Sequence, residues 1–207
     1  ETPALVLSGE PSSAPFPAPV AVIKGIGYDG TPGTEKPASV VAQSIARVID
    51  RHFSGSQKET LLHIHNPTLA KNTKFLEIIR HLQKMGYPLL LQIHDFAEDG
   101  RPSAYFQATA YPADCHYCVI NRRDYDLLVQ SGLVSEGLHF LPNCIPHGEA
   151  DGPEDVKRNF VLYPVRAIRR KNIGEALLLS LFLPVDCQIY ITLPPNSPAD
   201  FPSYRFW

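Results

Sequence analysis

This chain lacks an excess of either charge, because 19 Lys and Arg face 21 Asp and Glu for a formal net charge of −2. The basic footprint of a nucleic-acid-binding protein is therefore missing, and no nucleic-acid partner is expected. No apolar run approaches the roughly 18 residues that a membrane-spanning helix needs. Cysteine is scarce, with 4 residues in 207, and shows no disulfide framework, which favours a reducing, cytoplasmic setting.

The first residues also lack the basic region of a signal peptide. Methionine is nearly absent, since Met85 is the only one in the sequence. We therefore expect the chain to be part of a longer polypeptide. Proline, with 20 residues, is frequent but gathered in a few segments such as 11–19, where it marks loops.

Short apolar runs alternate along the chain with segments of helical period. This alternation predicts an α/β fold, a Rossmann-like parallel sheet with helices on both faces. Strands are predicted at 5–7, 20–23, 61–65, 88–94, 115–120, 138–141, 159–165 and 187–192, and helices at 38–53, 73–85, 124–131 and 172–183.

A connector rich in Pro, Gly and charge, residues 142–158, predicts a domain boundary. Residues 1–150 then form one Rossmann-like domain, and residues 155–207 form the truncated β-α-β start of a second. A single β-α-β unit cannot cover both faces of its sheet, so we expect it to be marginal alone. Its open strand edges make self-association possible.

Histidines stand where two neighbouring apolar strands end. One strand stops at His65-Asn66, and the next stops at His94-Asp95. Because chemistry in open α/β sheets gathers beyond the carboxyl ends of the strands, these tips are the strongest indication of a ligand site. His63 lies on the strand itself and is interpreted as structural.

Cations follow the predicted strand 159–165 and precede a helix, a place where backbone N–H groups attract anions. Arg166 can grip a diphosphate with its forked guanidinium, and Lys171 can act as a point charge. The alternative is a solvated basic turn without a ligand.

Residues 161–173 resemble the start of the C-terminal domain in GT-B glycosyltransferases of the group 1 family. The family pattern is a strand, a Gly-Arg pair, a short gap and Lys-Gly opening a helix. Here Pro164 and Val165 precede Arg166 where Gly is usual, and Asn172 replaces the Gly after Lys171.

Further segments resemble the N-terminal domain of the same family, in the same order, so that the match covers most of residues 61–183. They are 63–67, with a His-containing strand end; 92–96, with its hydrophobic-His-Asp tip; 113–133, with a strand and helix; and 141–146, which is similar to a Pro-Asn-x-Val connector.

The resemblance implies roles for particular residues. Arg166 and Lys171 would bind the diphosphate of a nucleotide-sugar, and His94 with Asp95 would be catalytic in the cleft. The acceptor side would include His65 and Asn66. The family's Gly-rich acceptor loop is not evident in this sequence. Gly25 and Gly27 are candidates for a related role in acceptor binding.

The implied reaction moves a sugar, as in a hexosyltransferase, from a nucleotide-sugar donor to an unknown acceptor hydroxyl. It retains anomeric configuration and requires neither a metal nor another cofactor. The family's Glu-x7-Glu motif has no counterpart in these 207 residues. We therefore expect an acceptor-side domain with the beginning of a donor-side domain, inactive alone.

Three alternatives remain open. The chain could be a non-catalytic α/β interaction module, or part of a nucleotide-sugar epimerase on the same double-Rossmann plan. A zinc site is the third, because Cys115-x2-Cys118 and Cys144-x2-His147 have compatible spacing. Alternation within strand 115–120 places its two cysteines on opposite faces, so no metal site is predicted.

Overall fold

The computed structural model describes residues 3–12, 15–55, 57–96, 111–144, 159–195 and 200–207. It divides into two compact units, Glu1–Ile145 and Pro146–Trp207. The first unit contains strands β1 (Val6–Ser8), β2 (Val20–Val22), β3 (Leu62–His65), β4 (Leu89–Ile93), β5 (His116–Val119) and β6 (Leu138–Phe140), and helices α1 (Ala38–His52), α2 (Phe75–Lys84) and α3 (Arg122–Gln130).

All strand pairs of the first unit are parallel. Strands β3, β4, β5 and β6 form a four-stranded sheet in that order, and β1 pairs with β2. The predicted α/β class with a Rossmann-like parallel sheet flanked by helices is confirmed.

The interior of this unit is formed by apolar side chains of strand β4 and of helices α1 and α2. In β4, Leu89 and Leu91 are buried, and the strand lies between β3 and β5. Helix α1 buries an apolar stripe that includes Val41 and Ile45, and this stripe joins a core cluster with residues of α2. Apolar side chains every three or four residues form such a stripe on one side of a helix.

The second unit contains β7 (Phe160–Arg166), β8 (Gln188–Leu193), α4 (Ile173–Ser180) and α5 (Phe201–Phe206). β7 and β8 pair in parallel with a register shift between Tyr163 and Arg166. Pro164 lies within this shift, as expected for a residue that has no N–H to donate to a strand partner.

Most predicted elements match the structure to within two residues, but the second unit departs in two places. Helix 172–183 was predicted three residues too long at its end, because α4 stops at Ser180 and Leu181 and Phe182 form a turn. Helix α5 was not predicted, since its six residues are too few to show a period.

In the part of the chain that the structure describes, no helix has the length and apolar character needed to cross a membrane.

Candidate functional site

The two histidine-bearing strand ends of the first unit lie side by side. β3 pairs in register with β4, with His65 opposite Gln92, so that His94 follows the end of the neighbouring strand. The His65 Nδ1 and His94 Nε2 atoms are 2.9 Å apart, and the ring centroids are 5.1 Å apart. Register thus brings together two side chains that are 29 residues apart in sequence.

Asn66 fixes the backbone of this edge. Its φ of 49° is left-handed, a conformation that Asn tolerates better than most residues. The side-chain Oδ1 of Asn66 accepts hydrogen bonds from the backbone N–H of His94 at 2.7 Å and of Asp95 at 3.2 Å. The predicted residues His65, Asn66, His94 and Asp95 therefore form one connected group.

The environment of His65 favours its neutral form. Burial of part of the ring lowers its pKa below the ordinary value of 6.5, and the neighbouring His63 and His94 lower this pKa further. A neutral imidazole donates a hydrogen bond at one nitrogen and accepts one at the other. One ring can therefore donate a hydrogen bond to the other across the 2.9 Å contact, and the remaining ring nitrogens can donate to or accept from a polar ligand.

His63 serves a neighbouring contact instead. Its Nε2 atom is 2.9 Å from Oε1 of Gln92, and the Nε2 of Gln92 donates to the backbone oxygen of Leu141 at 3.1 Å. Gln92 is buried, so these bonds satisfy a polar side chain inside the sheet. A polar link thus joins β3 and β4 to the segment that follows β6.

A buried side chain contacts two carbonyl groups of the glycine-rich loop that follows β2. Asn72 Nδ2 donates to the backbone oxygens of Gly25 at 2.9 Å and of Gly27 at 2.8 Å. Gly25 has a φ of +109°, and a Cβ there would come within 2.7 Å of the Val41 side chain. A Cβ on Gly9 would lie 2.5 Å from the Gly27 backbone. These glycines allow close backbone packing, and their predicted part in acceptor binding stays a prediction.

An open cleft of about 1110 Å³ lies beside these groups. Its polar wall includes Tyr28, His65, Asn66 and Lys71. The Lys71 Nζ donates to the Tyr28 hydroxyl at 2.9 Å and lies 4.7 Å from the centre of that ring. The cleft therefore combines an apolar interior with hydrogen-bonding groups and one cation, as ligand sites commonly do.

Four cations of the second unit, Arg166, Arg169, Arg170 and Lys171, lie at or next to one tight turn. Arg166 ends β7 and is exposed, a 3₁₀ turn spans Arg169–Lys171, and α4 begins at Ile173. Asn172 has a left-handed φ of 52°, a conformation that Gly adopts freely and that Asn tolerates better than most residues. The Tyr163 hydroxyl donates to the Lys171 backbone oxygen at 2.7 Å, which fixes the turn.

A second pair of histidines lies outside this site. The Nδ1 of His116 on β5 and the Nε2 of His139 on β6 are 2.8 Å apart, and both side chains are exposed. Within the described ranges, no group of three or more His, Cys, Asp or Glu side chains could hold a metal ion. Burial raises the pKa of the Cys118 thiol to about 11, which disfavours the thiolate that zinc requires. The partner residue His147 of the alternative zinc site lies outside the described residues.

One curated relative is a glycosyltransferase. The chain is 32% identical over 166 residues to the mannosylglucosyl-3-phosphoglycerate synthase of Petrotoga mobilis. The match takes in 67% of this chain and 33% of that relative, so the chain spans about a third of the relative's length. No described protein family and no solved structure matches the chain.

Sequence reasoning missed the side chains that hold the site in place. Asn72 connects two distant loops but stands in no recognisable motif. Gln92 links β3 to the segment after β6, and it precedes the hydrophobic-His-Asp tip of segment 92–96 without being part of that tip. The one available signal is that Asn72 comes shortly before a helix, where Asn commonly occurs. Its Oδ1 does accept from the Lys74 backbone N–H at 3.0 Å, but the contacts to Gly25 and Gly27 could not be deduced.

Proposed function

We propose that this chain is part of a glycosyltransferase that moves a sugar from a nucleotide-sugar donor to an acceptor hydroxyl. The observation that carries the proposal is the 32% identity to a named sugar-transferring synthase. It is supported by the order of the GT-B group 1 motifs and by the parallel fold on which they lie. We assign residues 1–150 to the acceptor side and residues 155–207 to the start of the donor side.

The proposed role of the histidine pair is to position and polarise the reacting sugar. His94 is the catalytic candidate, with Asp95 beside it. His65 is hydrogen-bonded to His94 at 2.9 Å and has a lowered pKa. The Nδ1 of a neutral His65 can accept a hydrogen bond from the Nε2–H of His94, which leaves Nδ1 of His94 to accept from a sugar hydroxyl. In the other tautomer His65 donates this hydrogen bond, and Nδ1–H of His94 can donate to the sugar. Asn66 keeps the backbone of His94 in place for either role.

The proposed role of Arg166 and Lys171 is to bind the donor diphosphate. As the bond to the sugar breaks, negative charge grows on the departing phosphate, and fixed cations stabilise that charge most strongly. The N-terminus of α4 contributes unpaired N–H groups beside the same turn. This electrostatic mechanism uses side chains and backbone groups, and we propose that transfer retains anomeric configuration without a required metal.

The name of the relative suggests a substrate class. It describes a product that contains mannosyl, glucosyl and 3-phosphoglycerate units, and a phosphoglycerate carries phosphate and carboxylate groups. We propose a hexose donor and a small anionic glycoside as acceptor. Lys71, whose Nζ donates to the Tyr28 hydroxyl, is a cation on the described wall of the cleft that could bind such an acceptor.

The test uses the full-length natural polypeptide and a panel of nucleotide-hexoses with phosphorylated sugar acids as acceptors. Product is detected by mass spectrometry, and its anomeric configuration by NMR. We expect Arg166→Ala and Lys171→Ala each to lower kcat by roughly 100-fold or more, as loss of a group that stabilises transition-state charge does. Residues 1–207 alone should give no turnover.

Arg170→Ala is the matched control, because Arg170 is exposed in the same turn but has no counterpart in the family pattern. It should keep near-normal turnover. Wild-type kcat in both Arg166→Ala and Lys171→Ala would refute the diphosphate role. Conversion of a nucleotide-sugar in the absence of any acceptor would instead favour an epimerase.

A further inference from the structure

A line of side-chain contacts runs from the segment after β6 to the histidine pair at the sheet edge. The Nε2 of Gln92 donates to the backbone oxygen of Leu141 at 3.1 Å, and its Oε1 lies 2.9 Å from Nε2 of His63. The rings of His63 and His65 come next, with centroids 4.4 Å apart and planes tilted by 32°. The line ends at the 2.9 Å contact between His65 and His94. Gln92 is thus connected to His94 through two intervening imidazoles.

The end of this line at Leu141 is anchored on the sheet. The Leu141 N–H donates to the Val119 backbone oxygen at 2.9 Å, which continues the pairing of β6 with β5. The Leu141 carbonyl can only accept, so the amide nitrogen of Gln92 faces it and the amide oxygen faces His63. Nε2 of His63 therefore carries a hydrogen and donates. Because Gln92 is only 3% exposed, a flipped amide would leave buried polar groups without partners.

The contact at the other end depends on how the His65 ring is turned. Asn66 holds the backbone of His94, but the ring torsion of a histidine is broad and roughly two-fold. The torsion alone therefore does not select the orientation in which Nδ1 of His65 faces His94. His63 and His65 are two residues apart on β3 and project from the same face of the strand, and their rings lie against each other. A His63 ring that is fixed by Gln92 limits rotation of the His65 ring, and this in turn directs the ring of His94.

We propose that Gln92 is a positioning residue of the sugar-transfer site, which acts through the rings of His63 and His65 on the imidazole of His94. This inference rests on the proposed function, in which His94 contacts the reacting sugar. Gln92 is not among the described residues that line the cleft, so it acts through the histidine rings and not by touching a ligand. Because a displacement of about 1 Å near a reacting group can cost about 100-fold in rate, loosening this line should lower kcat.

Gln92→Met tests the role in the full-length natural polypeptide. Methionine has a similar length but no N–H for Leu141 and only a weak acceptor for His63. We expect kcat to fall by about tenfold or more while KM changes by less than about threefold. Gln83→Met is the matched control, because Gln83 also donates from Nε2 to a backbone oxygen, that of Ala113, but lies on α2. This control should keep wild-type kcat at a temperature at which both variants are folded.

A double-mutant cycle separates positioning from general destabilisation. His63→Phe keeps a ring beside His65 but cannot donate to Gln92, and the exposed position of His63 leaves room for the phenyl group. Its loss in kcat should resemble that of Gln92→Met. The variant that carries both substitutions should lose no more than either single variant, because both remove the same link. Independent effects would multiply instead.

Crystal structures of the wild-type protein, Gln92→Met and Gln83→Met give a readout that needs no substrate. In Gln92→Met we expect the His65 Nδ1 to His94 Nε2 distance to exceed about 3.5 Å, the limit of a hydrogen bond. The 2.9 Å contact should persist in Gln83→Met. A residue that served stability alone would lower Tm without changing this distance.

The results separate the inference from the function on which it rests. Wild-type kcat in Gln92→Met, or losses that multiply in the double variant, would overturn the positioning role. A lower Tm with wild-type kcat would assign Gln92 to stability alone. If the wild-type protein transfers no sugar from any donor, the proposed function fails. The crystal structures then still decide the coupling, because an unchanged contact between His65 and His94 in Gln92→Met would overturn it.

Discussion

Asn66 offers a test of the site that needs no substrate. Two of its properties can be separated by substitution: the left-handed backbone, with φ of 49°, and the side-chain oxygen that accepts from His94 and Asp95. Asn66→Gly keeps the backbone conformation and removes the acceptor. Asn66→Ala removes the acceptor and also strains the backbone, whereas Asn66→Asp keeps an acceptor.

The expected losses follow from these contacts. A hydrogen bond contributes about 1 kcal/mol net, and an N–H left without a partner costs about 1–3 kcal/mol when it is buried. His94 and Asp95 are half-buried, and Gly gains from its ease in the left-handed region, so Asn66→Gly should lose about 1 kcal/mol. Asn66→Ala adds about 1–2 kcal/mol of left-handed strain, for a total near 2–3 kcal/mol. Asn66→Asp should stay within about 0.5 kcal/mol of wild type.

Urea denaturation followed by far-UV circular dichroism measures these differences. With a slope of about 1–3 kcal/mol per molar urea, the Asn66→Ala midpoint should fall by roughly 0.7–3 M. The matched controls are Asn143→Gly and Asn143→Ala, because Asn143 is exposed and its φ is not left-handed. Equal stability of Asn66→Ala and Asn66→Gly would refute the strain argument. Wild-type stability of both would refute the stabilising role of the hydrogen bonds that the Asn66 side chain accepts.

Three further outcomes are expected. Because the pKa of His65 is lowered in the folded protein, the unfolded chain binds a proton first as the pH falls below about 6.5. Tm should therefore drop between about pH 7 and pH 5, and it should drop less in His65→Gln. An equal dependence of Tm on pH in both proteins would count against the lowered pKa. Asn172→Ala should lower the free energy of unfolding by about 1–2 kcal/mol because Asn172 has a left-handed φ of 52°, whereas Asn172→Gly should not. Unfolding can be followed by the fluorescence of Trp207 in the same unit, and similar losses in both variants would contradict this reasoning. Gly9→Ala would place a Cβ 2.5 Å from the Gly27 backbone and should lower Tm by several degrees, whereas in Gly55→Ala the added methyl meets nothing closer than 3.4 Å, and equal Tm values would disprove the tight packing.

The strand ends were predictable because they depend on local signals. Apolar runs that stop at a polar tip predict where a buried strand leaves the sheet, and parallel pairing then brings adjacent tips together. This reasoning placed His65 near His94 from sequence, and the register of β3 and β4 confirms that proximity. The catalytic role of these side chains stays a prediction.

The supports of the site were not predictable, because they join segments that are far apart in the chain. The contact between Asn72 and Gly25 spans 47 residues, and nothing in the local sequence of either segment specifies the other. Helix α5 escaped prediction for a different reason, since six residues are shorter than two helical turns and give no periodic signal. Local patterns thus located the strands, while loop-to-loop hydrogen bonds required coordinates.

The exposed imidazoles of His116 and His139 have a practical consequence for anyone preparing this protein. Two ring nitrogens 2.8 Å apart are near the spacing at which a pair of imidazoles shares one nickel or zinc ion, given metal–nitrogen bonds of about 2.0–2.1 Å. An untagged chain should therefore be retained on a nickel-charged resin and leave it carrying traces of metal. Metal content measured after such a column would reflect the chromatography rather than the protein, and a chelator wash is needed before any claim about cofactors.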